Sequence, residues 1–469
     1  MTSSDLAYLG LAELGQAIKA RKVSPVEATR ATLDRIGKLD GKLHSYVTLM
    51  AESAEREARA AEEAIGKGDY RGPLHGVPVG IKDLCDAAGV ATMAGMPRIN
   101  GKNIASKDST VVARLRAAGA VVLGKLELTE GAVAHHHPDV KPPVNPHNAD
   151  YWSGASSSGS GVATAAGLCY GSLGSDTGGS IRFPSFANGV TGIKPSWGRV
   201  SRARVAKLAP SLDHVGPMTR SAADAGAVLG AIAGADPDDP TTLRAPVPDY
   251  LAEVGKSVKG LRVGFDEAYA STNVDPLIVQ AVRDAVALFK NAGAEIRPIK
   301  FPNTAAVVQA WFPICGAEAA VVHEKTYPSR KAEFGPGLSD MADAGHKTSG
   351  MDYAKAHEVR LIFRGQLDVL FEEVDIVVSP AWMRQNLTNK EFDVFGEKET
   401  DWPELIRFTS PLDIGGVPTI SLPAGFNKDG APYGFQLIAR HLNEPVLVRA
   451  GDAYQRETDW HKRRPKLAP

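Results

Sequence analysis

Four sets of residues in this 469-residue chain have types and spacings that could do chemistry. The densest runs from Ser153 to Ser180, SGASSSGSGVATAAGLCYGSLGSDTGGS, where eight of 28 residues are glycine and eight more are serine. A serine hydroxyl becomes a nucleophile once a base takes its proton, and glycine-rich backbone bares N–H groups able to hold a developing oxyanion. A flexible linker would show the same composition. Against a linker stand the helix-competent stretch Val162-Ala163-Thr164-Ala165-Ala166 and the unbroken run into Ile181-Arg182-Phe183-Pro184, with Asp176 and Arg182 placed to brace the last turn. The second set is Lys82, which ends the apolar run Val77-Pro78-Val79-Gly80-Ile81. Desolvation there would lower the amine's pKa and free a neutral base. Lysines at strand ends are common, so Lys82 gains meaning only beside the serines.

The third set, His135-His136-His137, looks like metal ligands. Three consecutive histidines cannot all face one ion on regular backbone, and no H-E-x-x-H or cysteine pair accompanies them, so a loop beside a pocket is the better reading. The fourth, His214 in Ser211-Leu212-Asp213-His214-Val215, reads as a structural loop histidine. A Ser-His-Asp triad would need G-x-S-x-G, which Gly154 to Ser158 and Gly159-Ser160-Gly161 approach without satisfying. The tail Lys462-Arg463-Arg464 reads as a solvated end.

Elements must hold these residues in place. Ser24-Pro25-Val26-Glu27 is a capping box opening a helix to about Leu39, and a second amphipathic helix follows from about Leu49 to Ile65. The run around Val77–Ile81 is a strand. A helix over Ser109–Ala118, closed by Gly119, leads into a buried strand Ala120–Leu123. The same order recurs as strand Leu261–Phe265, helix Pro276–Ala292 and strand Glu295–Ile299. Further helices are predicted over Thr304–His323 and Asp352–Glu373, a strand over Asp375–Val378, and a hairpin from Pro418–Leu422 and Gly434–Ile438 about Lys428-Asp429-Gly430. This alternation predicts an α/β fold with a twisted mixed sheet covered on both faces by helices. The Pro- and Asp-rich stretch 234–250 is the one weak composition break. A single domain over 1–469 is favoured, with a helical layer at 1–70, a core at 71–230 and the remaining sheet and pocket walls at 231–469. Met383–Trp402 is polar and aperiodic, a loop expected to lie over the site.

Composition narrows the function classes. Lys+Arg 53 against Asp+Glu 54 gives a net charge of −1, without the positive excess that nucleic acid or anionic membranes require. Three scattered cysteines fit neither a disulfide framework nor a four-ligand zinc site and suit a cytoplasmic setting. Met1–Gly15 lacks the pattern of a signal peptide, and no uncharged apolar run reaches the ~18 residues of a membrane span, Val162–Leu173 being the longest candidate. The 47 Gly and 31 Pro make about 17% of the chain, where roughly 12% is usual, and the 153–180 segment concentrates the glycine.

Gly76–Asp83, Gly154–Gly161 and Gly174–Pro184 resemble three successive blocks of the amidase signature family. The similarity continues through Gly189–Pro195, Asp213–Met218, Gly416–Gly425 and Gly434–Ile438, so nearly the whole chain is covered. The resemblance implies a Ser-cisSer-Lys triad, with Ser180 as nucleophile, Ser156 as the bridging serine after a cis Ala155–Ser156 peptide, and Lys82 as base. Many members have glycine where this chain has Ala155. The N–H groups of Thr177, Gly178, Gly179 and Ser180 would then form the oxyanion hole. No cofactor or metal is implied. The expected partner is a small-molecule amide, with no nucleic acid or membrane, and a homodimer is left open. Thr129, Tyr151, Trp152, Trp311 and Trp382 are the candidate pocket residues, and together they point to an apolar or aryl group in the substrate. The chemistry expected is amide hydrolysis through a seryl acyl-enzyme, extending to esters or carbamates. The alternative is the glutaminase-type component of a glutamyl/aspartyl-tRNA amidotransferase, from whose pattern Gly124–Gly131 and His135–Pro138 depart.

Overall fold

In the computed structural model, which describes residues 6–467, one mixed sheet runs through the whole chain. Met1 to Asp5 of the N-terminal stretch read above lie outside the described residues. The strands are β1 (Tyr46–Leu49), β2 (Pro78–Lys82), β3 (Val121–Leu126), β4 (Gly171–Asp176), β5 (Thr191–Lys194), β6 (His214–Thr219), β7 (Arg262–Phe265), β8 (Glu295–Pro298), β9 (Ile376–Pro380), β10 (Thr419–Phe426) and β11 (Pro432–Ala439). Their spatial order is β1-β3-β2-β4-β6-β5-β10-β11-β9-β7-β8. Neighbouring residues of a strand point to opposite faces, and every residue of β2, β3, β4, β5, β6 and β9 is buried, so helices cover the middle of the sheet on both sides.

Both predicted strand–helix–strand units are present. Helix Thr110–Ala117 joins β2 to β3 in parallel, with Pro78 opposite Val121 and Lys82 opposite Leu126. Helix Pro276–Asn291 joins β7 to β8, also parallel. The predicted hairpin is the antiparallel pair β10–β11. Stretch 234–250 separates nothing: Arg199 Nη1 donates to Pro246 O (3.0 Å), and β7, β8 and β9 beyond it join the sheet that β2 to β6 began.

Several expectations need correction. The Ser24 capping box is made, with Ser24 Oγ accepting from the N–H groups of Val26 and Glu27, but its helix runs on to Leu43. The next helix starts at Ala51, because Leu49 pairs with Gly124 as the end of edge strand β1. The largely helical first 70 residues thus contribute a strand. Met383–Trp402 is not a plain loop. It holds the helix Asn389–Asp393, capped by Thr388 and Glu391, and the start of helix Asp401–Ile406. Val162–Leu173 is not the most membrane-like stretch either. Helix Ala305–His323 is long and apolar enough to cross a bilayer, yet half of it is buried here, with Val307, Val308, Trp311, Ile314 and Cys315 in the core. Its apolarity is that of a core helix.

Helix Pro336–Lys347 crosses helix Ala305–His323 at Gly345 and Gly316, and a Cβ on Gly345 would collide with the Gly316 carbonyl. This contact sets one wall of the cavity described below. Replacing Gly345 with valine should therefore cost about 1–3 kcal/mol through forced separation of the helices. Chemical denaturation of the Gly345→Val protein checks this, and an unchanged midpoint would show that the crossing is not tight.

Candidate active site

The Ser/Gly-rich segment is no linker, since every residue from Ser153 to Gly179 is buried. Its last part forms β4 and a turn built around one carboxylate. Asp176 Oδ1 accepts from Gly179 N–H (2.6 Å) and Oδ2 from Ile181 N–H (3.0 Å), while Arg182 donates to both oxygens through Nη2 (2.8 Å) and Nε (3.0 Å). Burial opposes ionisation of Asp176, but the doubly bonded Arg182 guanidinium and the Ile181 N–H outweigh it and hold the carboxyl below its usual range. Arg182 also donates to Asp413 Oδ2 (2.6 Å) and to Thr409 O (2.9 Å). The brace expected of Asp176 and Arg182 is thus made, with Asp413 as a third member. The turn lifts Ser180 to partial exposure in a chain segment otherwise closed to solvent.

Two glycines here follow from packing and backbone shape. Gly179 has φ +137°, and any Cβ on it would enter the Phe183 ring; one on Gly178 would sit 2.9 Å from the Trp311 indole. The Gly179 N–H is committed to Asp176, and Gly179 does not line the cavity. It therefore drops out of the expected oxyanion donors. The N–H groups of Thr177, Gly178 and Ser180 have no acceptor among the described residues, and all three residues line the cavity.

Lys82, 1% exposed, ends β2 with its amine among three hydroxyls: Ser156 Oγ at 2.6 Å, Ser157 Oγ at 2.9 Å and Ser175 Oγ at 2.9 Å. The adjacent carboxylate, Asp83, turns instead to the buried Lys125, 2.7 Å away. Burial without a bonded counter-charge pulls Lys82 down to about 7, against the weaker pull upward of Asp176, Cys85 and Asp213. The Ala155–Ser156 peptide is cis. Ser157 N–H donates to Ser180 O (3.3 Å), which sets the two serine segments side by side, although no hydrogen bond joins the Ser156 and Ser180 hydroxyls among the described residues. Ser157 and Ser175 were missed by sequence reasoning, which looked for one base and two serines in a line and not for a hydroxyl cage.

Ser180 opens onto a cavity of about 580 Å³ walled by Trp152, Phe183, Trp311, Phe312, Phe395 and Trp402. Of the five pocket candidates, Trp152 and Trp311 line it. Trp382 is buried behind it, edge-on to Trp152 at 5.7 Å. Tyr151 points elsewhere, donating to Asp429 Oδ2 (2.8 Å), and Thr129 turns its hydroxyl to Val133 O while its N–H donates to Ser156 O (3.2 Å). The loop 383–402 does cover the site, through Asp393, Phe395, Gly396, Glu397 and Trp402. The three histidines diverge: His135 lines the cavity, His136 Nε2 lies 3.1 Å from Ser158 Oγ, and His137 Nδ1 accepts from Asp139 N–H. His214 is a strand residue and not a loop one. It lies buried at the start of β6 with Nδ1 3.2 Å from Asp176 O, and burial pushes it well below the usual imidazole range.

Comparisons with known proteins place the whole chain. The family model described as Amidase matches residues 27–448. The chain belongs to the amidase signature family. AmiD of Mycobacterium tuberculosis, by name a putative amidase, is 45% identical over 462 residues, covering 98% of this chain and 97% of AmiD. One component of the glutamyl-tRNA(Gln) amidotransferase from a Geobacter strain is 36% identical, covering 98% of this chain and 99% of its own length. The X-ray structure of a peptide amidase from Stenotrophomonas maltophilia superimposes with a TM-score of 0.82 at 29% identity, covering 98% of each chain. The match to amidase signature enzymes makes this chain a hydrolase acting on amides.

In this family member the lowered Lys82 pKa has a consequence for stability. The unfolded chain holds a proton on Lys82 up to its ordinary 10.5 and the folded chain only up to about 7. Between these values the unfolded state binds more protons, so the Lys82 contribution makes stability rise with pH, by about 5 kcal/mol over the whole window. Below about 7 the contribution is constant and unfavourable. Comparing denaturation of the protein and its Lys82→Met variant from about pH 6.5 to 10 should show that slope only with lysine present. Parallel curves would place the amine's pKa near its ordinary value.

Proposed function

We propose that this chain hydrolyses a carboxylic amide through a seryl acyl-enzyme on Ser180, with Lys82 as base and Ser156 as the bridge. The observation that carries this reading is the buried Lys82 amine with no bonded counter-ion, 2.6 Å from Ser156 Oγ. A neutral amine has two N–H donors and one lone pair. Ser157 Oγ gives its own proton to Ser175 O (3.2 Å) and already accepts Ser175 N–H (3.2 Å), so it can only receive from Lys82. With Ser175 Oγ taking the other N–H, the lone pair faces Ser156. Lys82 then takes the Ser156 proton as Ser156 takes that of Ser180, and Ser180 Oγ attacks the carbonyl carbon. The N–H groups of Thr177, Gly178 and Ser180 receive the oxyanion, each worth about 3 kcal/mol. Collapse expels the amine, which takes back the proton through Ser156, and a water repeats the path to release the acid and restore Ser180.

The walls favour a substrate with an apolar or aryl group. Asp340, Asp393 and Glu397 stand among the lining residues, where no lysine or arginine is found among the described residues. An anionic substrate would meet only like charge, and the α-carboxylate of glutamine would find no cation. This disfavours the glutaminase reading that the amidotransferase relatives raise, and the direct test is a screen of the chain alone. Aryl and aliphatic amides should turn over and glutamine should not. Glutamine turnover restricted to a multi-component complex would overturn the proposal.

Two further outcomes are expected. Ser180→Ala should lose about 10⁴-fold or more in kcat, and Lys82→Met about 10²–10⁴-fold. Because only the neutral amine accepts a proton, kcat/KM should climb as pH rises through about 7 and level off above it. A rate that is flat from about pH 5.5 to 8.5 would remove lysine from the base role.

A further inference from the structure

A second cavity, of about 590 Å³, opens one residue beyond the end of β3 and shares no lining residue with the first among the described residues. Ligands of α/β proteins gather outside the carboxyl ends of parallel strands, and β3 runs parallel to β2. The ionisable side chains lining it are Asp40, His44, Arg98, Glu127, Asp139 and Lys141. Asp40, Arg98 and Asp139 are already engaged. Asp40 accepts from Ser45 N–H (2.9 Å), Ser45 Oγ (2.5 Å) and Tyr46 N–H (3.1 Å). Arg98 and Asp139 close on each other through two bonds of 2.6 and 2.9 Å.

The half-buried His44 ring forms no side-chain hydrogen bond or ion pair among the described residues, and Glu127 and Lys141 keep free capacity at opposite depths. Glu127 is only 7% exposed; Oε1 accepts from Leu128 N–H (3.0 Å), while Oε2 has no partner among the described residues. Lys141 is exposed and forms no ion pair among the described residues. A carboxylate oxygen that lines a cavity and has no protein donor keeps its acceptor capacity for a ligand, and a cation supplied from outside would offset the burial of the rest of the side chain. Burial, reinforced by Asp83 and opposed by the Leu128 N–H, raises the Glu127 carboxyl to about 7, as expected of an acid with no cation beside it.

We propose that this cavity is a second small-molecule site for a compound carrying both an ammonium and a carboxylate group, an α-amino acid or short peptide with free termini, with its ammonium on Glu127 and its carboxylate toward Lys141. The volume suits such a ligand. The wall is bonded to the Ser156 segment through Glu127 O, which accepts from Gly159 N–H (3.0 Å), and two residues on, outside the wall, Thr129 N–H donates to Ser156 O (3.2 Å). Occupancy would thus bear on the residues that carry Ser156.

Calorimetric titration of the whole chain carrying Ser180→Ala with L-leucine and with diglycine tests this without turnover. At least one should bind saturably below about 10 mM, and Glu127→Gln and Lys141→Ala should each weaken it about tenfold or more. Lys141 is exposed, so its variant reports even if the Glu127 variant folds poorly. Trp402→Ala, in the other cavity, should leave binding unchanged. Absence of saturable binding by both probes, unchanged affinity in the Lys141 variant, or loss of binding in the Trp402 variant would each overturn the proposal.

Discussion

Asp176 sits wholly buried at the end of β4, and its two oxygens collect Gly179 N–H, Ile181 N–H and two nitrogens of Arg182. Those donors are the turn that presents Ser180. Because the same carboxylate takes the Gly179 N–H, that amide is pulled away from the cavity, while those of Thr177, Gly178 and Ser180 are left free. Arg182 carries the constraint further, to Asp413 and Thr409 O, and Thr409 Oγ1 returns to Gly178 O. Segments 231 residues apart in sequence are thereby closed over one turn. Breaking a buried pair by removing one partner typically costs about 3–5 kcal/mol, so this network is as much a structural demand as a local one.

The second ordering principle is a contrast between two buried lysines on adjacent strands. Lys125 on β3 meets Asp83, while Lys82 at the end of β2 meets only hydroxyls. The Asp83–Lys125 pair ties up the carboxylate that follows Lys82 in sequence. A counter-ion at Lys82 would restore its charge and end the base role proposed for it. The hydroxyl cage instead satisfies the amine's hydrogen bonds without supplying charge, which is what a lysine needs to stay neutral near pH 7.

Much of this was legible in the residues. Helix-and-strand alternation exposed the parallel units around β2–β3 and β7–β8, because their apolar runs are continuous and their helices are amphipathic. Strands β4, β5 and β6 were missed for the opposite reason. Gly-Ser-Leu-Gly-Ser-Asp has little intrinsic strand preference and pairs in the sheet because small side chains admit helices against both faces. Lys82, Ser156 and Ser180, the triad proposed above, could be named through the resemblance of their motifs to the amidase signature blocks. Asp413 and Ser175 could not, since their roles depend on long-range placement that no local pattern encodes. Aromatic residues misled in proportion: Trp152 and Trp311 wall the cavity, whereas Trp382 packs behind it and Tyr151 ends on Asp429.

Chemical trapping on Ser180 bears most directly on the seryl acyl-enzyme. The chain would be incubated with a slowly deacylating aryl ester or carbamate, digested, and the modified peptide located by mass spectrometry. The adduct should fall on Ser180 and be absent from Ser156, Ser157 and Ser175, with Lys82→Met slowing its formation. An adduct on any of those other serines, or one formed at an undiminished rate without the Lys82 amine, would contradict it.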